Sequence, residues 1–405
     1  MFDVALLTRL NMLLPLLEQG VAALYNFLLI FVASLLLPVE QFVTFSYVWL
    51  YVLLILNAIN ALVFQPFMRM IAAHDMRNAR AIVRLSVISI IGINFLGGLL
   101  AFYLGPYYNE TLPLIGWTTV TLFAVAVYEL GRRVWMLAGR WHFGVAFGVV
   151  LHVSTWTVVW IAKPVTPAGF MAPLVVIYGA VGLVSLALGL MKLLHDAPLE
   201  QRDDLVFLEY FRFGAPLLVG AVAFWFFSGG YLFFVGKILP TTDVAALRMI
   251  QNLFNGVLLL LVAIENYILS GGVRALLRRL GIVHSLLASF VIVYGLLVYL
   301  VFTKVYPGID AHAELVLIWT FTYLLLAFSR IWMSLLKWYG HAMKVGLSQI
   351  NGTGVFLLLL FLCVGLGAPM NALLVSLLWF LTAGFMSYTV GAAVRRLRVE
   401  LFSRM

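Results

Sequence analysis

Residues 247–255 read LRMIQNLFN, which sets Arg248, Gln251, Asn252 and Asn255 inside otherwise apolar sequence. Residues of these types at these spacings suit one kind of cargo. A guanidinium matches phosphate oxygens two at a time, so Arg248 can hold an anionic group such as a pyrophosphate. Side-chain amides both donate and accept hydrogen bonds, as sugar hydroxyls do. At 100° per residue the four side chains, with Asn266 further on, fall within roughly a 100° stripe of one helix. The plainer reading is that Arg248 snorkels to lipid headgroups and that the amides join helices, typically for well under about 2 kcal/mol.

Two more stretches carry polar stripes. Glu18, Gln19, Ala22, Tyr25 and Asn26 fall within roughly 120° of a first helix, and Ser46, Asn57 and Asn60 share a face of a second. Tyr25, Trp49 and Trp225 can stack on sugar rings. Glu18 and Glu265 are candidate ion-coupling carboxylates, for a proton or sodium, unless each pairs with a basic residue near the inner surface. His152 reads as a satisfied packing residue, with a proton relay as the alternative. Glu129 precedes Arg132 and Arg133 by three and four residues, the spacing of an interfacial ion pair. Ser228, Gly229 and Gly230 interrupt an apolar run and permit either a bend or close packing.

The elements that must position these residues follow from composition. Of 405 residues, 64% are hydrophobic and 10% charged, at a mean hydropathy of +1.09. A soluble chain carries about 25% charged residues. Lipid is therefore the solvent of the outer face, and the fold class is all-α integral membrane. Apolar runs long enough to cross number about twelve: 10–36, 40–68, 83–104, 112–131, 141–162, 169–192, 208–238, 242–269, 281–303, 312–335, 344–367 and 371–394. The first residues do not read as a cleavable leader, because Arg9 comes late and Glu18 interrupts the apolar run. A sole cysteine, Cys363, excludes an internal disulfide.

Orientation follows from the cations. With a cytoplasmic N-terminus, 21 of the 25 Lys and Arg residues fall in inner segments and three, Lys163, Lys237 and Lys304, fall in outer loops. The one left over is Arg248. This bias places both termini in the cytoplasm. Laying the second half on the first at an offset of 202 brings Leu37-Pro38 onto Leu239-Pro240. Six spans per half make parallel repeats, which enclose a central cleft. The expected division is a six-helix lobe over 1–195, a cytoplasmic linker over 196–207 and a second six-helix lobe over 208–405.

The stretch from Glu18, EQGVAALYNFLLIFVASLLLPVEQFVTFSYVWLYVLLIL, resembles the opening of bacterial polysaccharide transporters. These belong to the multidrug/oligosaccharidyl-lipid/polysaccharide exporter superfamily. Gln19 and Asn26-Phe27 match its first helix, residues 36–42 its first outer turn, and residues 244–269 its eighth helix. The resemblance implies two pseudo-symmetric lobes around a central cavity, a MATE-like fold, with helices one, two, seven and eight lining the cavity. It implies a flippase of the bacterial cytoplasmic (inner) membrane that moves a lipid-linked oligosaccharide to the outer leaflet. It also implies membrane lipids and polysaccharide-assembly proteins as partners. The polar stripes fall on the helices so assigned, which makes Arg248, Gln251, Asn252, Asn255, Gln19, Tyr25, Asn26, Asn57 and Asn60 the expected substrate contacts.

A cation-coupled multidrug exporter of the same superfamily is the first alternative. Its cavity should be acidic, for which Glu18 and Glu265 speak and against which Arg248 speaks. A membrane subunit of a polysaccharide synthesis complex is the second. An enzyme is not expected, since the outer segments are short and no HExxH, Walker or DxD pattern occurs. No cofactor, metal or nucleic acid is expected.

Overall fold

The computed structural model describes residues 4–73, 79–105, 112–195, 206–267, 279–306, 312–339 and 341–402. Among them the chain is helical apart from short turns, and the expected apolar runs fall mainly on helix where they are described. The elements are α1 (Val4–Leu36), α2 (Val39–Ile59), a π-helical turn (Asn60–Phe64), α3 (Gln65–Ala73), α4 (Ala79–Leu104), α5 (Leu112–Leu137), α6 (Trp141–Ala162), α7 (Pro167–His195) and α8 (Val206–Trp225). A second π-helical segment (Phe226–Gly230) follows, then α9 (Leu232–Val235), α10 (Thr241–Tyr267), α11 (Leu280–Val305), α12 (His312–Trp338), α13 (Ala342–Gly365) and α14 (Ala372–Phe402). Nine helices among the described residues are long and apolar enough to cross a membrane, so this is a multi-pass membrane protein.

The breaks have local causes. Pro38 caps α2, since proline opens a helix but cannot continue one. Lys163 takes up left-handed backbone (φ 43°) and ends α6 just before Pro164. Pro66 brings no N–H to the carbonyls a turn earlier, and the five residues ahead of Gln65 relax into the wider π turn. The run 208–238, read from sequence as one span, is two helices. α8 ends at Trp225, and the backbone departs from helix at Gly229 (φ 143°, ψ −15°).

The chain forms two compact units, Met1–Trp225 and Phe226–Met405. In the first, α5 lies along α7 more extensively than any other pair of elements meets. Glycines make that seam: a β-carbon on Gly182 would lie 2.8 Å from the Tyr128 nitrogen. α1 packs on α6, and α8 packs on α2 and its π turn. In the second unit α12 and α14 pair most closely, with α10 against α12 and α13 against α14. Its centre is aromatic: the Tyr231 ring lies 5.5 Å from Trp379 and 5.7 Å from Phe356, and Trp319 Nε1 donates to Ser376 Oγ at 2.9 Å.

Candidate functional site

Two polar centres lie inside these apolar bundles, one in each unit. The first is a cavity of about 170 Å³ between α1, α2, α5, α6 and α7. Four of the nine expected substrate contacts line it, Tyr25, Asn26, Asn57 and Asn60, as does Trp49. Trp49, Leu53, Leu56, Asn57, Asn60 and Phe64 form the α2 wall, one residue from nearly every turn. Asn26 Nδ2 donates to Ala22 O at 3.3 Å and Asn57 Nδ2 to Leu53 O at 2.8 Å, so each amide is tethered to its own helix.

Tyr25 is buried and stands edge-on to His152 and Tyr178, at ring separations of 5.0 and 5.2 Å. Its hydroxyl donates to Thr155 Oγ1 at 3.2 Å. His152 is fully engaged. Trp156 Nε1 donates to its Nδ1 at 3.2 Å, so the ring proton sits on Nε2, which donates to Val21 O at 2.8 Å. That is the packing role expected for His152.

Charge enters the cavity from α5. Arg132 Nε lies 2.5 Å from Glu18 Oε1, and its Nη1 donates to Glu129 Oε1 at 2.8 Å. Arg133 Nη2 is 3.9 Å from Glu129 Oε2. Glu129, Arg132 and Arg133 all line the cavity, and the Glu18 side chain behind them is 1% exposed. The Glu129 pairing has the expected spacing, and its three residues line the cavity. Glu18, a candidate ion-coupling site, is an arginine partner, which was the alternative reading of that residue.

The second centre surrounds Arg248 on α10. Its side chain is 2% exposed, and Gln251 and Asn252 beside it are buried as well. The ionisable groups facing the guanidinium are the phenols of Tyr231 and Tyr323. Among the described residues Arg248 makes no ion pair, and its Nε has no hydrogen-bond partner. Asn255 is joined to the same cluster, its Oδ1 accepting from the Tyr323 hydroxyl at 2.8 Å. Arg248 is therefore enclosed by protein and does not snorkel. The bond between Asn255 and Tyr323 links α10 to α12.

The side chains of Gln19, Glu265 and Asn266 lie outside those described. Trp225, expected as a stacking surface, is instead buried on α2, its Nε1 donating to Leu50 O at 2.7 Å. Sequence reasoning missed Tyr128, Tyr178, Arg132 and Arg133 as cavity residues. Tyr178 sits in an apolar run and gave no signal, and Tyr128, near the end of a run, reads from sequence as an interfacial aromatic but is buried against the cavity. For the arginines the signal is partial: Glu18 has no basic residue within a helical turn, so a counter-charge would come from another helix, but the sequence does not say which.

No family model matches the sequence, and no curated protein matches it. The fold is similar to solved transporters. An outward-facing multidrug resistance MATE family transporter of the MOP superfamily aligns with a TM-score of 0.65 at 12% identity, over 98% of this chain and 96% of that one. An inward-facing multidrug resistance MATE family transporter of the same superfamily aligns at 0.59 and 11%, with the same coverage. A MOP superfamily transporter from Pyrococcus furiosus, described as having a binding pocket of reverse polarity and a suggested different function, aligns at 0.58 and 12%, again over 98% and 96%. What these share with this chain is the fold, so the chain has the MATE transporter architecture expected from its sequence.

Proposed function

We propose that this protein is an alternating-access transporter, a flippase, whose cargo is an anionic amphipathic lipid bearing sugars. The cargo class is a lipid-linked oligosaccharide or polysaccharide precursor carried from the cytoplasmic to the outer leaflet of a bacterial cytoplasmic membrane. The observation that carries the reading is Arg248, a guanidinium 2% exposed with no carboxylate facing it among the described residues. A buried charge without a partner is strongly unfavourable, so this arginine suits a site whose counter-charge arrives with the ligand. The cavity of the first unit supports the same cargo. Its amides and aromatic faces suit sugar rings, and its carboxylates already face arginines. A carrier of organic cations needs an acid left open, and Glu18 and Glu129 are both engaged.

On this reading Arg248 meets the pyrophosphate. Gln251, Asn252, Asn255, Gln19, Tyr25, Asn26, Asn57 and Asn60 serve the glycan, and the lipid tail stays in the bilayer. Glu18 and Glu265 are the proposed ion-coupling groups. Protonating Glu18 would free Arg132 from one of its two carboxylates. Polysaccharide-assembly proteins are the proposed partners, and both termini are cytoplasmic. The test is transport into proteoliposomes. Arg248→Ala should abolish movement of a polyprenyl-pyrophosphate-linked sugar while insertion stays normal, and Arg248→Lys should restore part of it. Efflux of an organic cation such as ethidium by the same vesicles, unaffected by Arg248→Ala, would establish the multidrug reading in its place.

A further inference from the structure

The wall of the first unit's cavity that α2 supplies is held from behind by α8. Tyr210, Gly214 and Trp225 fall within roughly a 60° stripe of α8, a single face. That face lies on α2 and its π turn. The Tyr210 side chain is 0% exposed, and its hydroxyl donates to Val63 O at 2.9 Å. Ser86 Oγ on α4 lies 2.9 Å from the same hydroxyl and also donates to Ile82 O at 2.8 Å. One turn along, a β-carbon on Gly214 would lie 3.0 Å from both Ala61 O and Leu62 Cα, and 3.3 Å from Pro66 Cγ. Beyond the π turn, the Arg69 guanidinium covers the Phe213 ring at 4.2 Å.

The π turn matters because of what it does to register. Within it Gln65 N–H reaches back to Asn60 O, five residues away instead of four. Closing that turn to ordinary α-helix would rotate everything beyond it by roughly 100° relative to what precedes it. Trp49, Leu53 and Asn57 precede the turn, Asn60 opens it and Phe64 closes it, and all five line the cavity. Pro66 starts the distortion by withholding an N–H, but it does not fix where the wider turn settles. The partners that do so are on α8: the Tyr210 hydroxyl takes a carbonyl inside the turn, and Gly214 leaves room for the bulging backbone.

We propose that Tyr210 and Gly214 are positioning residues of the cavity. By holding the π turn of α2, α8 sets which side chains from residue 60 onward face the cavity, and so what the cavity can bind. The functional meaning rests on the cavity being a cargo site, but the positional assignment does not.

The test uses full-length protein in which Cys363, the sole cysteine, is replaced by alanine. Single reporter cysteines are placed before the turn (Leu53→Cys) and at its end (Phe64→Cys), and their reaction with 2-aminoethyl methanethiosulfonate is timed. Adding Tyr210→Phe keeps the ring and removes the hydroxyl. The expected result is a rate changed roughly threefold to tenfold at Phe64→Cys, the population shift that one lost hydrogen bond gives, and by less than about twofold at Leu53→Cys. Gly214→Ala, which presses on the same turn without touching the hydrogen bond, should produce the same selectivity and serves if the tyrosine variant folds poorly. Equal changes at both reporters, or none at either, overturn the assignment. If the vesicle assay rejects the glycan-lipid cargo and the selective pattern remains, the cargo reading falls and the positioning role stands.

Discussion

Arg132 sits between two carboxylates, which lets its contribution be worked out in parts. Replacing it with methionine keeps most of the packing and strands Glu18, whose side chain is 1% exposed. Removing one partner of a buried ion pair typically costs about 3–5 kcal/mol. Glu129 adds less, because its side chain is 22% exposed and Arg133 remains 3.9 Å away; pairs of that kind are worth about 0.2–1 kcal/mol. Arg132→Met should therefore destabilise by about 3–5 kcal/mol. Glu18→Gln leaves Arg132 its bond to Glu129 and should cost about 1.5–3 kcal/mol, the worth of one charged hydrogen bond. The double variant strands no charge behind the cavity, so its loss should fall short of the sum by about 2 kcal/mol. The assay is a double-mutant cycle on unfolding by SDS in mixed micelles. A coupling below about 0.5 kcal/mol would falsify the claim that Glu18 depends on Arg132. The same Glu18→Gln protein tests ion coupling separately, since transport that still responds to an imposed ion gradient removes Glu18 from that role.

Asp243 in the first turn of α10 accepts the Ala372 N–H at 2.8 Å with Oδ2, closing the open end of α14. Asp243→Ala should lower unfolding stability by about 0.5–2 kcal/mol and Asp243→Asn by much less, with hydrogen exchange accelerated at the start of α14 in the alanine variant. His152 is held at both nitrogens, so His152→Gln should lose about 1–3 kcal/mol of stability and keep gradient-driven transport; transport that becomes indifferent to pH in this variant would restore the relay reading.

The helical, multi-pass character was legible because lipid leaves a chain little choice, whereas twelve spans were expected and nine are long and apolar enough among the described residues. Apolar runs of crossing length must be helical, because lipid offers the backbone no other hydrogen-bond partners. Polar faces on α1, α2 and α10 were legible for the same reason: Tyr25 and Arg248 are buried, and Asn26, Asn57 and Asn60 line the cavity beside Tyr25. What was not legible is where one face meets another. Nothing near Glu18 in sequence points to Arg132, more than a hundred residues away. Trp225 looked like a free stacking surface until Leu50 O took its N–H. Pro66 was a signal left unread. A proline inside the run 40–68 should mark a widened turn just upstream, which is where Asn60–Phe64 lies. Gly229 belongs to the stretch 228–230 that sequence reads as permitting either a bend or close packing, and its positive φ shows that the backbone bends there.

Arg132, beside Arg133 and three residues after Glu129, and Arg248, the only cation of its apolar run, are both buried, and the interior treats them differently. Among the described residues one faces two carboxylates and the other phenols. On the proposed reading the difference is made up when the cargo binds. A fully answered arginine holds helices in place and has little to offer an anion, since an incoming phosphate would have to displace carboxylates already seated. An unanswered one has the reverse character: the bare state is the strained one, and an anionic headgroup relieves it. On the proposed reading this asymmetry favours loading at Arg248 and leaves the cavity around Tyr25 and Asn57 to read the sugars. It also explains why the two variants should differ in kind. Arg132→Met should lower stability, whereas Arg248→Ala removes a charge with no resident partner, so it should leave the fold as stable as before or more so while ending transport. Loss of stability in Arg248→Ala comparable to that in Arg132→Met would mean that the guanidinium is satisfied within the protein, and the anionic cargo would lose its main support.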